Sequence, residues 1–302
     1  MKHQQHSLFV DLQAYQLHVR RLTPLQPAVA PILFLHGAVE NGRIFYSHSG
    51  KGLASYLADQ GFVGYAADFA GRGLSKPTLE TGLQQSQHQL ICQDIPGLIE
   101  YVYAQHQQPI TLICHSWGGV VAAASLARFP QLLAKVKAKI CFGTKRVISV
   151  RSLERLLKIN VIWNKLAPWL GKHYGYVPAK RWRFGADNEP TQFLLDTIDW
   201  ISGAPFVDRC DHFDYQQACA SIKWPALWHF AAKQDRLLGH PTDVLAFIAE
   251  TRQQQARYSL LGKQDGYSQD YDHISMLTHP AAAKEHFSDI AIWLKEQYQR
   301  CL

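Results

Sequence analysis

A serine between an apolar run and two glycines is the first candidate for chemistry. Ser116 follows the segment Ile110–Cys114 and precedes Gly118 and Gly119. A serine at the end of a buried strand and directly before a helix lies in a sharp turn, where its hydroxyl projects and the N–H of the next residue, Trp117, faces the same space. Glycine at the start of the helix lets the backbones of the helix and the strand pack closely. The pattern predicts that Ser116 is a nucleophile.

Cysteine occupies the position two residues before Ser116, where this kind of turn usually has glycine. Cys114 is small enough to fit there. A thiol inside a buried strand is expected to be packed and unreactive, so we interpret Cys114 as structural. The alternative to a nucleophile at Ser116 is a tight turn that carries an idle serine.

A nucleophilic serine needs a base to take its proton and an acid to orient that base. The chain has 15 histidines, so composition alone selects none of them. His273 lies in the loop before the last predicted helix, whereas His279 and His286 fall at or inside that helix. Asp235 lies just past the end of the predicted strand 225–231. Serine turns of this type use the order Ser, acid, His along the chain, which predicts Asp235 and His273 as the partners of Ser116.

Acyl transfer places negative charge on a carbonyl oxygen, and fixed backbone N–H groups stabilise that charge. The N–H of Trp117 is one expected donor. The second is the N–H of Ala38, in the loop after the apolar run Pro31–His36. Gly37 permits the turn there. We expect His36, at the end of the strand, to brace this loop rather than to act as a base.

The elements that must position these residues alternate between strand and helix. Short apolar runs predict strands, and longer amphipathic stretches predict helices. The predicted strands are 7–13, 16–22, 31–36, 62–69, 110–114, 136–143, 225–231 and 256–261, with the first two as an antiparallel pair. The predicted helices are 49–60, 85–107, 118–129, 241–251 and 280–299. This alternation predicts an α/β fold with a mostly parallel central sheet and helices on both faces.

The strand pattern stops between Thr144 and about Ala220, where the sequence is helical, aromatic and basic. Because this stretch separates two strands of one sheet, we expect it to lie outside the sheet, as a cap over the edge where ligands bind. The prediction divides the chain into a first core part, 1–144, a helical cap insertion, 145–220, and a second core part, 221–302.

The positive charge is concentrated in the first part of the predicted cap. Between Lys145 and Phe184, ten Lys and Arg residues stand against Glu154 alone, so this stretch carries +9 and the rest of the chain −2. The stretch also holds six aromatic residues: Trp163, Trp169, Tyr174, Tyr176, Trp182 and Phe184. This mixture is typical of contact with an anionic membrane surface. A solvated helical face with its aromatics turned inward is the alternative. No nucleic-acid-binding motif accompanies the charge, so we expect no nucleic acid partner.

Cysteine usage and hydropathy bear on zinc binding, membrane insertion and the cellular compartment. The six cysteines lack paired zinc-ligand spacing, and no apolar run reaches the roughly 18 residues of a membrane-spanning helix. The first residues lack the apolar stretch of a signal peptide, so we expect free thiols and a cytoplasmic protein.

Asp208, Asp211 and Asp214 recur at the spacing of one helical face, and a metal site there with His212 is an alternative to the expectation of no metal.

Four motifs together resemble a known superfamily: His36-Gly-Ala38, Asp68-Phe-Ala-Gly-Arg-Gly-Leu-Ser75, His115-Ser-Trp-Gly-Gly119 and Ala127-Arg-Phe-Pro130. They are similar to those of the α/β-hydrolase superfamily. The chain most resembles its monoacylglycerol lipase and lysophospholipase-like group, in which His-Gly-Ala-x-Glu and Gly-x-Gly-x-Ser recur. The resemblance covers residues 30–144 and 222–298. It departs at Cys114 and at the residue before His273, which is not glycine.

The resemblance implies an α/β-hydrolase fold and hydrolysis of a carboxylic ester without a cofactor, with an apolar acyl pocket under the cap. In this reading Ser116 attacks, His273 transfers the proton and Asp235 orients His273, while the amides of Ala38 and Trp117 hold the oxyanion. The basic, aromatic cap favours a lipid-like ester with an anionic head or a micellar presentation. Because a fold does not dictate a function, other acyl transfer, carbon–carbon bond hydrolysis and a non-catalytic ligand-binding role stay as alternatives.

Overall fold

An eight-stranded sheet forms the centre of the computed structural model, which describes residues 2–12 and 14–299. The strands are β1 (His3–Leu12), β2 (Tyr15–Pro24), β3 (Pro31–Leu35), β4 (Val63–Ala67), β5 (Ile110–His115), β6 (Val136–Phe142), β7 (Ala226–Ala232) and β8 (Arg257–Leu261). Their order across the sheet is β1-β2-β4-β3-β5-β6-β7-β8. Gln13, the last residue of the first predicted strand, lies outside the described residues.

The strands β3 to β8 run parallel, and only β1 and β2 are antiparallel to their neighbours. The sequences of the central strands are almost continuously apolar because both faces of a parallel sheet are covered. All five residues of β3 and all six of β5 are buried. The mostly parallel sheet expected from the alternation of elements is therefore confirmed.

Helices follow or separate the strands on both faces. They are α1 (Leu53–Asp59), α2 (87–106, made of Gln87–Gln89, a π-helical Leu90–Asp94 and Ile95–His106), α3 (Trp117–Arg128), α4 (153–174, made of Leu153–Arg155, a π-helical Leu156–Leu166 and Ala167–Tyr174), α5 (Thr191–Ile201), α6 (Tyr215–Ser221), α7 (Pro241–Glu250), α8 (Ser275–Thr278) and α9 (His286–Gln299). Short 3-10 turns are Gly42–Ile44, Leu79–Thr81, Pro130–Lys135, Lys263–Asp265 and Pro280–Lys284. In the part of the chain that the structure describes, no helix is both long and apolar enough to cross a bilayer.

Two apolar layers enclose the sheet, because successive side chains of a strand point to opposite faces. On one face Leu112 of β5 belongs to a cluster with Leu98 of α2 and Val120 of α3. On the other face the neighbouring Ile113 belongs to a cluster with Leu57 of α1 and residues of α9. The two layers fix β5, and with it the turn that follows, between helices on both sides.

The last predicted helix, 280–299, is interrupted, and the interruption serves the loop of His273. The chain leaves helical geometry at Glu285, where φ is −121° and ψ is −119°. The Glu285 carboxylate accepts hydrogen bonds from Ser268 N at 3.0 Å and from the Tyr271 hydroxyl at 2.6 Å. These bonds tie the chain before α9 to the loop that leads into His273, and this tertiary contact overrides the helical periodicity of the sequence.

Residues 145–220, called the cap segment below, contain α4, α5 and α6 between β6 and β7. Trp200 of α5 packs its ring against Trp117, with the ring centroids 6.2 Å apart, and edge-on against Phe206. At the entry to the segment, Arg146 forms an ion pair with Glu250 of α7 and donates to the Ala204 carbonyl at 2.6 Å. The cap segment is thus fastened to the core at its entry and through its aromatic residues.

The expected helical face of Asp208, Asp211 and Asp214 is wrong, because these residues lie in a turn. The Asp208 carboxylate accepts a hydrogen bond from Cys210 N at 2.8 Å, and that of Asp211 accepts one from Phe213 N at 3.2 Å. Asp214 caps the N-terminus of α6. Aspartate side chains that bond to backbone amides two residues ahead compete with helix formation, which explains the turn.

Candidate active site

The turn between β5 and α3 holds Ser116 in a backbone conformation that L-residues rarely adopt. Its φ is 49° and its ψ is −121°, and its N–H donates to the Phe142 carbonyl of β6 at 2.8 Å. The turn is tight on every side. A Cβ on Gly37 would lie 2.9 Å from the Cβ of Ser116, and one on Gly118 would lie 2.5 Å from the Leu35 carbonyl oxygen. Strain of this kind is concentrated at functional positions.

Cys114 takes the place of the upstream glycine without opening the turn. It is fully buried and lies in register with Leu35 on one side and Cys141 on the other. Its side chain packs in the apolar cluster that also contains residues of α2 and α3. Burial raises the pKa of the Cys114 thiol well above its usual value, which keeps this thiol protonated and unreactive.

His273 and Asp235 come together, as the order of residues along the chain predicted. The Nδ1 atom of His273 lies 2.5 Å from Oδ2 of Asp235, and both residues are buried. Burial alone would raise the pKa of Asp235, but the adjacent His273 imidazole and its hydrogen bond hold that pKa at about 2. The carboxylate therefore stays ionised and accepts the Nδ1 proton, which leaves Nε2 of His273 as the basic nitrogen.

The other candidate histidines have structural partners. His279 is exposed, and its Nδ1 atom caps Ala281 N. His286 is buried, and its Nε2 atom bonds to the Met276 carbonyl at 2.7 Å. His36 is also buried: its Nδ1 atom bonds to the Gly37 carbonyl, and its Nε2 atom accepts from Phe69 N at 3.0 Å. His36 therefore braces its loop, as the sequence analysis expected.

A second buried pair, Glu40 and His115, holds the loop of His273. Nδ1 of His115 lies 2.7 Å from Oε1 of Glu40, and Nε2 lies 3.0 Å from the carbonyl oxygen of His273. Burial opposes the charge on both groups, but their mutual attraction prevails and lowers the pKa of Glu40 while it raises that of His115. The charged imidazolium can donate from both nitrogens, so it orders the backbone of the adjacent His273.

Asp272 replaces the glycine that the resemblance leads one to expect before His273. Its carboxylate oxygen Oδ1 accepts from Ile274 N at 2.9 Å and from Ser275 N at 2.7 Å. In return, Asp272 N donates to the Ser275 hydroxyl at 2.8 Å. These bonds build the first turn of α8, so this side chain fixes the loop that a flexible glycine would leave free.

The loop after β3 leaves one amide free at the position predicted for the oxyanion donor. Gly37 N donates to the Glu40 carboxylate, and Val39 N donates to the carboxylate of Glu189 from the cap segment. Between them, Ala38 N forms no hydrogen bond with any described residue. Trp117 N, the first amide of α3, likewise has no partner within the described residues, as expected for the first turn of a helix. Free amides at these two positions are what an oxyanion requires.

The cap segment supplies two carboxylates to the loops around this site. Glu189 is fully buried and forms an ion pair with Arg72, in addition to its bond with Val39 N. Asp187 accepts from the Asn41 side chain at 2.7 Å and from Gly73 N at 2.6 Å. The loop that carries Ala38 is therefore held from the core side by Glu40 and from the cap side by these two residues.

Potential metal ligands gather away from this site. Among the described residues, His88, Cys92 and Asp208 place their ligand atoms within 4.8 Å of one another. The Asp208 carboxylate already bonds to the Tyr215 hydroxyl, and the Arg128 guanidinium lies 3.6 Å from it. The nearby Asp211 pairs with the same arginine. The Arg128 guanidinium supplies the positive charge next to these carboxylates.

The sequence patterns select Ser116, Asp235 and His273 as candidates but indicate no role for several residues around them. Glu40 was noted only as part of the His-Gly-Ala-x-Glu pattern, and Lys145 only as one of the ten basic residues of its stretch. Glu189 lies 150 positions from its partner Val39. No local pattern signals a contact over such a separation. The signal that was available for Glu40 is its place three residues after Gly37, whose amide it accepts.

Comparison with known proteins agrees with this geometry. Residues 26–197, more than half of the chain, match the serine aminopeptidase S33 family. The chain belongs to this family and has the α/β-hydrolase fold. The family match identifies the protein as a hydrolase of the serine type.

Solved structures share the fold at low sequence identity. A soluble variant of the monoglyceride lipase of Saccharomyces cerevisiae aligns with a TM-score of 0.69 at 15% identity, over 97% of this chain and 96% of that chain. An esterase of Pyrococcus furiosus aligns with a TM-score of 0.61 at 14% identity, over 98% and 92%. The thioesterase domain from the curacin biosynthetic pathway aligns with a TM-score of 0.59 at 18% identity, over 96% and 99%. No curated protein matches the sequence.

Proposed function

We propose that the protein hydrolyses carboxylic esters through an acyl-enzyme intermediate on Ser116. The observation that carries the proposal is the buried His273–Asp235 pair, 2.5 Å apart, beside a strained serine and two free backbone amides. Ionised Asp235 fixes the tautomer of His273, so Nε2 is available to take the hydroxyl proton of Ser116. The amides of Ala38 and Trp117 receive the carbonyl oxygen as it becomes negative.

The reaction then proceeds in two balanced steps. Ser116 Oγ forms a bond to the carbonyl carbon while its proton passes to His273, and the tetrahedral intermediate expels the alcohol, which takes that proton from His273. In the second step His273 takes a proton from water, whose oxygen attacks the acyl carbon. The ester bond to Ser116 breaks, Oγ recovers the proton, and the carboxylic acid leaves.

The test is the hydrolysis of p-nitrophenyl esters by the wild type and three variants. We expect Ser116→Ala and His273→Ala to lose activity by about 10³-fold or more, and Asp235→Asn by about 10³ to 10⁴-fold, because the amide holds the wrong tautomer of the base. Thr144→Ser, a change beside the turn at a residue without a proposed catalytic role, is the control for folding. Full activity in Ser116→Ala would contradict the proposal.

The cap segment supports a lipid-like substrate. Along α4, four apolar side chains are exposed, at relative positions i, i+3, i+4 and i+8: Leu153 at 80%, Leu156 at 49%, Leu157 at 60% and Val161 at 45%. Trp169 and Trp182 are exposed as well, and Lys158, Lys165 and Lys172 are exposed in the same stretch. An apolar helix face with basic and aromatic neighbours suits the interface of an anionic lipid layer. This arrangement favours an ester with an apolar acyl chain, presented by a micelle or membrane surface.

Two measurements test this substrate class. In a chain-length series of monoacylglycerols and p-nitrophenyl esters, we expect kcat/KM to rise with acyl length; activity confined to acetyl and butyryl esters would contradict it. In co-sedimentation, we expect binding to phosphatidylglycerol vesicles and weaker binding to phosphatidylcholine vesicles. The double variant Leu153→Ser, Leu157→Ser should lose that binding, while Leu25→Ser, at an exposed leucine far from α4, should retain it.

A further inference from the structure

A lysine lies next to the candidate nucleophile, at the end of the strand that neighbours β5. The stretch 143–145 follows β6 and passes along the site. A Cβ on Gly143 would lie 2.8 Å from the His273 ring, and one on Gly119 would lie 2.6 Å from Cγ2 of Thr144. The next residue, Lys145, places Nζ 5.5 Å from the centroid of the Trp117 ring. Trp117 directly follows Ser116, and Asp235 acts electrostatically on Lys145, so Lys145 lies near the candidate site.

The Lys145 ammonium is buried without a carboxylate of its own. The residue is only 4% exposed, and Nζ forms no hydrogen bond and no ion pair with any described residue. The two nearest acids that act on it are engaged elsewhere. Asp235 pairs with His273, and Asp243 binds the backbone N–H and hydroxyl of Ser149.

Two buried arginines, in contrast to Lys145, each pair with a carboxylate. Arg72 is paired with Glu189, and Arg146 is paired with Glu250. Each of these cations thus has an anion from another part of the chain, as buried charges normally do. Burial lowers the pKa of Lys145 to about 8 against the attraction of Asp235 and Asp243, so the side chain is still mostly protonated at neutral pH.

A second buried lysine, Lys139, differs from Lys145 in how completely its ammonium is enclosed. Lys139, in the middle of β6, also lacks a partner for Nζ, but its Nζ is completely enclosed. Lys145 Nζ is not among the enclosed atoms, although the residue is buried and unpaired. The Lys145 ammonium therefore keeps some accessible surface, whereas that of Lys139 has none.

We propose that Lys145 binds an anionic group of the substrate, a carboxylate or a phosphate, while the ester carbonyl is at Ser116. This assignment rests on the proposed function and narrows its substrate class. A lysine ammonium pairs with either anion as a point charge, and the Trp117 ring holds the lysine by a cation–π contact in the absence of substrate. The anionic group lies in the acyl part of the ester or in its alcohol part, and the two sources are separated by experiment.

The experiment compares matched charged and neutral esters. For the acyl part, the pair is p-nitrophenyl hemisuccinate and p-nitrophenyl butyrate; for the alcohol part, it is 1-butyrylglycerol 3-phosphate and 1-butyrylglycerol. We expect the wild type to prefer the charged member of one pair by at least tenfold in kcat/KM. Lys145→Met should remove that preference and Lys145→Arg should retain part of it. Lys223→Met, at an exposed lysine away from the site, should behave as the wild type.

The outcomes separate this proposal from the one on which it rests. A wild type that hydrolyses esters without preferring either charged member, or a Lys145→Met variant that keeps the preference, overturns the role of Lys145. Calorimetry on Ser116→Ala gives a reading that needs no catalysis. There, the charged member of one pair, monomethyl succinate against methyl pentanoate or 1-butyrylglycerol 3-phosphate against 1-butyrylglycerol, should bind at least tenfold more tightly, and the added Lys145→Met change should abolish the difference. Equal binding within both pairs would overturn the assignment, whether or not the wild type hydrolyses esters.

Discussion

Two buried glutamates hold the two ends of the loop that carries Ala38, and they do so in different ways. Glu40 comes from the loop itself, accepts from Gly37 N and pairs with His115. Glu189 comes from the cap segment, accepts from Val39 N and pairs with Arg72. One end of the loop is therefore fixed within the core, whereas the other is fixed only when the cap segment is in place.

The partners of the two glutamates also differ in chemistry. Histidine loses its charge within the physiological pH range, whereas arginine keeps its charge at every accessible pH. The attraction of His115 lowers the pKa of Glu40 in spite of its burial, but burial outweighs the attraction of Arg72 and raises the pKa of Glu189. The end of the loop that Glu40 holds is thus sensitive to pH through His115. The end that Glu189 holds depends on the packing of the cap segment.

The largest expected effect is on the cap side. Glu189→Ala leaves the guanidinium of Arg72 buried and unpaired and removes the acceptor of Val39 N. We expect a loss of about 3–5 kcal/mol in the free energy of unfolding, because breaking a buried ion pair strands the remaining charge. Urea denaturation at pH 7 measures it.

Asp199→Asn is the matched control for Glu189→Ala. Asp199 forms an exposed ion pair with Arg209 at 3.1 Å on the same cap segment, and such pairs contribute about 0–1 kcal/mol. A loss in Glu189→Ala no greater than in this control would show that the cap-side pair does not hold the loop. Glu189→Gln, which keeps an acceptor for Val39 N, is expected to lie between the two.

On the core side the expected effect is smaller and depends on pH. Glu40→Gln keeps an acceptor for Gly37 N but removes the charge that raises the pKa of His115. The pair stabilises the wild type fully above the ordinary pKa of glutamate, 4.5, and below that of histidine, 6.5. The stabilisation is lost at higher pH as folded His115 loses its proton, and at lower pH as folded Glu40 gains one.

We therefore expect the difference in unfolding free energy between the wild type and Glu40→Gln to reach about 1.5–3 kcal/mol between pH 4.5 and 6.5. It should decline outside that window. Chemical denaturation at pH 4, 5.5 and 9 measures the curve. Glu189→Gln, measured in parallel, should show no such decline at pH 9, because arginine does not titrate there. A constant difference for Glu40→Gln at all three pH values would mean that Glu40 and His115 do not form an ion pair.

The smallest expected effect is at Asp187, which joins the cap segment to the loops without a buried charge partner. Asp187→Asn keeps one carbonyl oxygen as an acceptor for Gly73 N but weakens the bonds from this amide and from the Asn41 side chain. We expect a loss of about 1 kcal/mol, the usual contribution of one hydrogen bond. Thermal unfolding detects it as a modest fall in Tm. A loss as large as that of Glu189→Ala would place the main cap contact at Asp187 instead.

The features that could be predicted from the sequence are those encoded within a few residues. The apolar run before Ser116 and the glycines after it define the turn locally, and the loops after β7 and β8 place Asp235 and His273 by chain order. The helix predicted at 280–299 failed because Glu285 bonds to Ser268 and Tyr271 in another loop, a tertiary contact that periodicity does not register.

The contacts that hold the site together were hidden for the same reason. Glu189 bonds to Val39 and Arg72, each more than 100 positions away in the sequence. No residue near Glu189 in the sequence indicates that it contacts the loop that carries Ala38. The charge count treated Lys145 as part of a basic surface, but the fold buries it beside Trp117. A sum over a segment does not reveal which of its charges the fold removes from water.

The most direct test of the account is to find which residue a phosphorylating inhibitor of serine hydrolases modifies. The wild type is treated with diethyl p-nitrophenyl phosphate, digested, and its peptides are sequenced by mass spectrometry. We expect one diethylphosphoryl group per chain, on Ser116, and no modification of Ser116→Ala. A wild type that stays unmodified, or a modification on another residue that persists in Ser116→Ala, would contradict the central claim that Ser116 is the nucleophile.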